Sequence, residues 1–263
     1  MDLGLKDRVA IVAASSQGLG KAAAQGLARE GAKLALCART KSTLEATAEE
    51  IRRAAGVEVL ARPVDVTDYE AVRRFVAETE GHFGRVDICV TNAGGPPAKP
   101  FADTTLEDWQ AGVNLNLMST LYFAREVLPL MQRRRWGRFI TITSTAVKQP
   151  IDNLILSNAV RSAVSGLVKS LSNEYAPYNV LVNNACPGGM LTARSDELFA
   201  KAAAAEGVDP QLIRERRAAA IPLRRIGRPE EFANLVVFLA SECASYITGT
   251  SIAVDGGAVK GIY

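Results

Sequence analysis

Seven short apolar runs, rich in β-branched residues and separated by stretches of helical periodicity, constrain this chain more than any other feature. The runs cover residues 8–14, 33–38, 57–63, 86–92, 137–143, 180–186 and 251–254, with helical patterns such as 21–30, 44–55, 69–81 and 232–240 between them. Several runs are apolar on both faces, as parallel strands covered by helices must be. Their strict alternation with helices implies right-handed βαβ crossovers. The expected fold is therefore α/β: a doubly wound, Rossmann-type parallel sheet of seven strands, in a single domain over residues 1–263. One segment, about 189–228, is helical and Ala/Arg-rich with no strand of its own. An insertion at the carboxyl end of a strand in such a sheet is where a substrate lid would sit; a surface excursion is the alternative.

Composition removes several function classes. The 31 basic and 28 acidic residues are mixed along the chain and leave a net charge of only +3, without the basic face that nucleic-acid binding needs. No run of 18 apolar residues exists, and the N-terminus has no basic-then-apolar signal pattern, so a cytoplasmic protein without membrane spans is expected. Cys37, Cys89, Cys186 and Cys243 are far apart, form no CxxC pair and read as small hydrophobes in apolar stretches. His82 is the only histidine; it falls at a helix end and gives no basis for a Ser-His-Asp triad or a metal site.

The first strand runs into Ala14-Ser15-Ser16-Gln17-Gly18-Leu19-Gly20, after which a helix begins. Small residues let the backbone approach a pyrophosphate, and the helix start offers unpaired N–H groups and a positive dipole end. A glycine-rich turn alone is weak, but its place at the first strand–helix junction raises its weight. The second strand ends Ala38-Arg39. A site for NAD(H) usually carries an acid there, whereas Arg39 is a bidentate phosphate partner, so NADP(H) is favoured over NAD(H).

With these residues in place the chain resembles the short-chain dehydrogenase/reductase family over nearly its whole length. The resemblance rests on Gly18-Leu19-Gly20, Asp65-Val66, Asn92-Ala93-Gly94, Asn116-Leu117, Ser144, Pro187-Gly188, and Gly227-Arg228-Pro229-Glu230 through Asp255-Gly256-Gly257. The stretches IPLRRIGRPEEFANLVVFLAS and YITGTSIAVDGG are nearest the 3-oxoacyl-carrier-protein reductases. The resemblance implies that Asp65 and Val66 hold the adenine edge, and that Asn92, Ala93 and Gly94 line the adenosine ribose. Pro187, Gly188, Met190 and Thr192 would border the nicotinamide. Ser144 would hydrogen-bond the substrate oxygen, and Asn116 would hold a water for proton relay. It also implies a homotetramer, with 115–132 and 157–175 as apolar faces, and an acyl-carrier protein as a partner, for which Arg133-Arg134-Arg135 is a candidate docking patch.

Two departures matter. The family's tyrosine, thirteen residues after the serine, and its lysine four residues later fall on Ser157 and Arg161. An aliphatic hydroxyl is a far weaker acid than a phenol near pH ~10, and arginine stays protonated. Losing general acid–base help costs roughly 10²–10⁴ in rate. Arg161 can still hold ribose hydroxyls, and water or Lys148 is left to move the proton. In the cofactor loop, Ala13-Ala14 replaces the family's Thr-Gly, which weakens the expectation of cofactor binding. Two readings stand: an NADP(H)-dependent oxidoreductase on a ketone or secondary alcohol (including a 3-oxoacyl thioester), and a catalytically impaired cofactor-binding or scaffold member.

Overall fold

The computed structural model describes residues 2–262. Seven parallel strands form one sheet: β1 (Val9–Ala13), β2 (Lys33–Ala38), β3 (Val59–Pro63), β4 (Ile88–Thr91), β5 (Gly137–Ile142), β6 (Val180–Pro187) and β7 (Ser251–Val254). Their spatial order is β3-β2-β1-β4-β5-β6-β7. The order reverses direction at β1/β4, and the crevice beyond the carboxyl ends of these two strands is the place where such sheets bind ligands. Each expected strand is present, with ends displaced by at most two residues.

The burial of β1 explains the apolar runs. All five of its residues are buried, and alternate side chains serve opposite layers. Ala10 and Val12 pack with Ala23, Ala24 and Leu27 of α1 (Gly18–Arg29) and with Phe232 and Val236 of α9 (Pro229–Ala240). Ile11 and Ala13 face the other layer, with Val72 and Phe75 of α3 (Tyr69–Phe83), Phe123 and Val127 of α5 (Ser119–Arg134), and Val164 of α6 (Ile155–Tyr175). Lys41–Ala55 (α2) covers the first layer beside α1.

At the amino end of the sheet, away from the crevice, buried Asp87 accepts the Val9 N–H at 2.9 Å and an Arg85 guanidinium N–H at 2.6 Å. Arg8 and Arg138 sandwich the Trp136 ring at 3.8 and 4.2 Å, which fixes this end of the fold.

One expectation changes, and two segments take a more definite form. The segment 115–132 is not one regular helix: α4 (Leu106–Gly112) passes through a π-helical turn, Val113–Met118, before α5 begins. Cys243 is exposed rather than packed in an apolar stretch, while Cys37, Cys89 and Cys186 are buried. The 189–228 segment forms two helices, α7 (Ala193–Glu206) and α8 (Pro210–Ala219), which pack on each other over the crevice mouth. His82 lies in the last turn of α3, its Nε2 2.8 Å from a Glu58 carboxylate oxygen. Among the described residues, no helix is long and apolar enough to cross a membrane.

Candidate active site

A cleft of about 1870 Å³ runs along the carboxyl ends of the strands. Its first wall is the turn between β1 and α1. Ser15 is held there by the Cys37 carbonyl, which its N–H reaches at 3.1 Å, and Ser16 accepts the Thr47 hydroxyl at 2.9 Å. Gln17, at the helix N-cap, makes no side-chain cap, so the first N–H groups of α1 stay available to an anion. Ala14 keeps the left-handed backbone that a glycine would adopt freely, at φ +47°. This conformation costs an L-residue roughly 1–2 kcal/mol. Gly20 is obligatory for another reason: a Cβ there would lie 2.4 Å from the Ala14 carbonyl oxygen and 2.9 Å from Asn92 Nδ2.

One end of the cleft lies beyond the carboxyl ends of β2 and β3. Arg39 and Asp65 both border the cleft there. The Asp65 carboxylate accepts the Thr67 N–H at 2.9 Å and its hydroxyl at 2.8 Å. Those two hydrogen bonds, with a smaller contribution from the Arg39 charge, hold the Asp65 pKa below the usual carboxylate value. A fixed acceptor and a guanidinium suit an adenine edge beside a phosphate.

The other end of the cleft is bordered by Ser144, Ser157 and Arg161. Ser144 follows β5, and its Oγ accepts the Ala146 N–H at 3.1 Å, capping a short turn over Thr145–Val147. Ser157 and Arg161 project from one face of α6, and both are buried. Nη1 of Arg161 donates to the carbonyls of Thr143 at 2.9 Å and Ile142 at 3.3 Å. Burial, then the nearby charge of Arg194, pushes the Arg161 pKa down to about 10. It remains a cation near neutral pH and anchors α6 to the end of β5.

Asn116 sits behind this wall rather than on the cleft. The π-helical turn sets it inward, where Nδ2 donates to the Gly94 carbonyl at 2.9 Å. Its Oδ1 and the Thr91 hydroxyl are buried without a protein partner. Both residues line a cavity of about 10 Å³ with Arg161. That volume and those three polar groups suit one water molecule.

Most of the sequence-derived site converges on this cleft: Ser144, Ser157, Arg161 and all the expected cofactor residues but two border it. The exceptions are Ser15 and Gly20, which shape the loop from behind. Lys148 does not border the cleft, although Thr145 and Gln149 on either side of it do. Sequence reasoning missed Arg194, whose only signal is its place two residues beyond Thr192. It also missed Leu198, Phe199 and Ile213 of α7 and α8, which give the cleft an apolar wall.

With this geometry described, comparison with known proteins is direct. Residues 13–259 match a family model described as enoyl-(acyl carrier protein) reductase. A 3-oxoacyl-[acyl-carrier-protein] reductase of Aquifex aeolicus is 33% identical over 257 residues, 98% of this chain and 99% of that protein. Dehydrogenase/reductase SDR family member 4 of Sus scrofa is 34% identical over 254 residues, 96% of this chain and 88% of its own length. The crystal structure of L-sorbose reductase from Gluconobacter frateurii, complexed with NADPH and L-sorbose, superimposes with a TM-score of 0.96 at 34% identity, covering 100% of both chains. The chain belongs to the short-chain dehydrogenase/reductase family of oxidoreductases.

Proposed function

We propose that the protein is an NADP(H)-dependent oxidoreductase that interconverts a ketone and a secondary alcohol, a 3-oxoacyl thioester included. The observation that carries the reading is the convergence of Ser144, Ser157 and Arg161 on the same cleft as the dinucleotide turn and Arg39. When bound, the nicotinamide supplies or accepts the hydride at the carbonyl carbon. The chain's own residues do the rest. Ala14, Ser16, Gly18 and the first turn of α1 receive the pyrophosphate, and Arg39 takes the 2′-phosphate. Asp65, Val66, Asn92, Ala93 and Gly94 hold the adenosine. Pro187, Gly188, Met190 and Thr192 border the nicotinamide, and Arg161 holds its ribose. The Ser144 hydroxyl donates to the substrate oxygen. A proton reaches that oxygen from solvent along water held by Asn116 and Arg161; the water-sized cavity between these residues supports this relay. The 189–228 segment acts as the substrate lid.

A homotetramer in the cytoplasm is the proposed working form. Leu121 on α5, 37% exposed, and the fully exposed Tyr246 near β7 support contact through these elements. An acyl-carrier partner finds less support at the arginine run than the sequence implied. Arg133 pairs with Glu80 at 3.6 Å, Arg134 donates to the Gly84 carbonyl, and Arg135 donates to the Pro177 carbonyl at 3.2 Å.

Fluorescence titration with NADPH and NADH, followed by a panel of ketones, quinones and 3-oxoacyl thioesters, tests the reading. Saturable binding with NADPH tighter, and reduction above the buffer rate, is expected. Binding without any turnover across the panel would move the assignment to a cofactor-holding scaffold, the reading that the Ser157/Arg161 pair favours.

A further inference from the structure

The reaction end of the cleft is short of acids. Arg161 is only 8% exposed and lies beside the Ser144 turn, where two backbone carbonyls fix the plane of its guanidinium. Arg194, in the first turn of α7, reaches across from the lid segment to the loop after β4. Its Nη2 donates to the Pro96 carbonyl at 3.2 Å, and its guanidinium lies so close over Gly95 that a Cβ there would come within 2.7 Å. Lys201 of α7 and Arg217 of α8 border the same space. Among the described residues, none of these four cations has a carboxylate oxygen within 4.0 Å. Asp152 is the acid on that side of the cleft.

This arrangement is electrostatically incomplete. The charge of Arg194 opposes that of Arg161 across the cleft and lowers its proton affinity. The buried charge of Arg161 and the exposed charge of Arg194 repel, and one anion between them converts that repulsion into attraction on both sides. Guanidinium groups suit the task because their planar donor forks grip carboxylate and phosphate in a fixed orientation, which an ammonium group does not. The pyrophosphate of a dinucleotide has its own seat at the start of α1, beside Gly18. Arg161 instead emerges next to Ser144, where the substrate oxygen would sit.

We propose that Arg161 and Arg194 together form a subsite for an acidic group, carboxylate or phosphate, on the carbonyl substrate. The enzyme then takes anionic carbonyl compounds in preference to neutral ones. Arg194 couples recognition to closure, because the residue that grips the anion also ties the lid segment to the loop after β4. The inference rests on the carbonyl-reductase reading for the identity of the substrate, though the anion subsite itself can be measured without turnover.

The experiment is a calorimetric titration of the protein–NADPH complex with malonate at low salt, with dimethyl malonate as the neutral control. Saturable malonate binding is expected, with none for the ester. Arg194→Gln should weaken malonate at least tenfold and leave NADPH affinity within twofold, while Arg194→Lys should retain part of the malonate affinity. Malonate that fails to bind the unaltered protein, or binds Arg194→Gln equally well, overturns the proposal. So does an Arg194→Gln protein that loses NADPH affinity but keeps malonate, which would assign the arginine to the cofactor pyrophosphate. If the unaltered protein binds no NADPH, the reductase reading fails by itself, and the same titration on the cofactor-free protein decides the subsite by the same criteria.

Discussion

Asn92 donates from Nδ2 to the carbonyl of Ala14 at 3.4 Å, and so joins the loop after β4 to the turn after β1 across the point where the strand order reverses. Ala14, at the acceptor end of this contact, has a left-handed backbone at φ +47°. Gly20 leaves the room for it, since a Cβ there would strike both partners.

Relief of that strain is measurable. Ala14→Gly removes a left-handed penalty of roughly 1–2 kcal/mol and adds an unfolded-state entropy cost of roughly 0.5–1 kcal/mol. A net stabilisation of about 0.5–1 kcal/mol is expected in denaturant unfolding, with NADPH binding at least as tight. A destabilised Ala14→Gly protein would mean that the turn does not carry this strain.

The proposed role of Arg39 at a 2′-phosphate is measurable. Charged hydrogen bonds to a phosphate are worth about 1.5–3 kcal/mol. Arg39→Ala should therefore weaken NADPH by roughly 10–100-fold and leave NADH nearly unchanged. Equal losses for both cofactors in fluorescence titration would remove Arg39 from the 2′-phosphate site.

Restoring a phenol to α6 should restore proton transfer. Ser157→Tyr combined with Arg161→Lys places the two groups one helical turn apart on the face that borders the cleft. The turnover number for a carbonyl substrate should rise by up to roughly 10²–10⁴. A folded double variant that binds NADPH yet gains nothing would place the chemical limit outside this helix.

Acid should loosen the start of α9. Arg225 grips Glu231 through two N–H donors at 2.7 and 2.6 Å, and the Arg228 N–H adds a third hydrogen bond at 2.8 Å. These contacts, the Arg225 hydrogen bonds foremost, lower the Glu231 pKa to about 2. An unfolded glutamate titrates near pH ~4.3, so the contribution is complete above that value and fades as pH falls towards about 2. Thermal melts from pH 5 to pH 2 should show a smaller acid-induced drop for Glu231→Gln than for the unaltered chain. Identical drops would remove Glu231 from the acid response.

Much of this molecule is legible in one dimension. Strand positions follow from apolar runs such as Val9–Ala13, because a parallel strand covered on both faces must be apolar on both. The dinucleotide turn follows from its small residues at a strand–helix junction. That Ser157 and Arg161 share one helix face follows from their spacing, since four residues is about one helical turn. Other features depended on contacts between segments far apart in sequence. The π-helical turn that moves Asn116 behind the cleft leaves no mark in hydrophobic periodicity. Lys148 is near Ser144 in sequence and so a candidate proton donor there, but the fold leaves it off the cleft that Thr145 and Gln149 border. Arg194 reads as an ordinary helix-start arginine until the fold lays α7 across the crevice and brings it to Pro96, 98 residues away. Local periodicity is set by what one residue's neighbours must bury, so sequence determined the sheet and the cofactor turn. The charge balance of the cleft is a sum over segments that meet only when the sheet closes, so tertiary structure alone decided it.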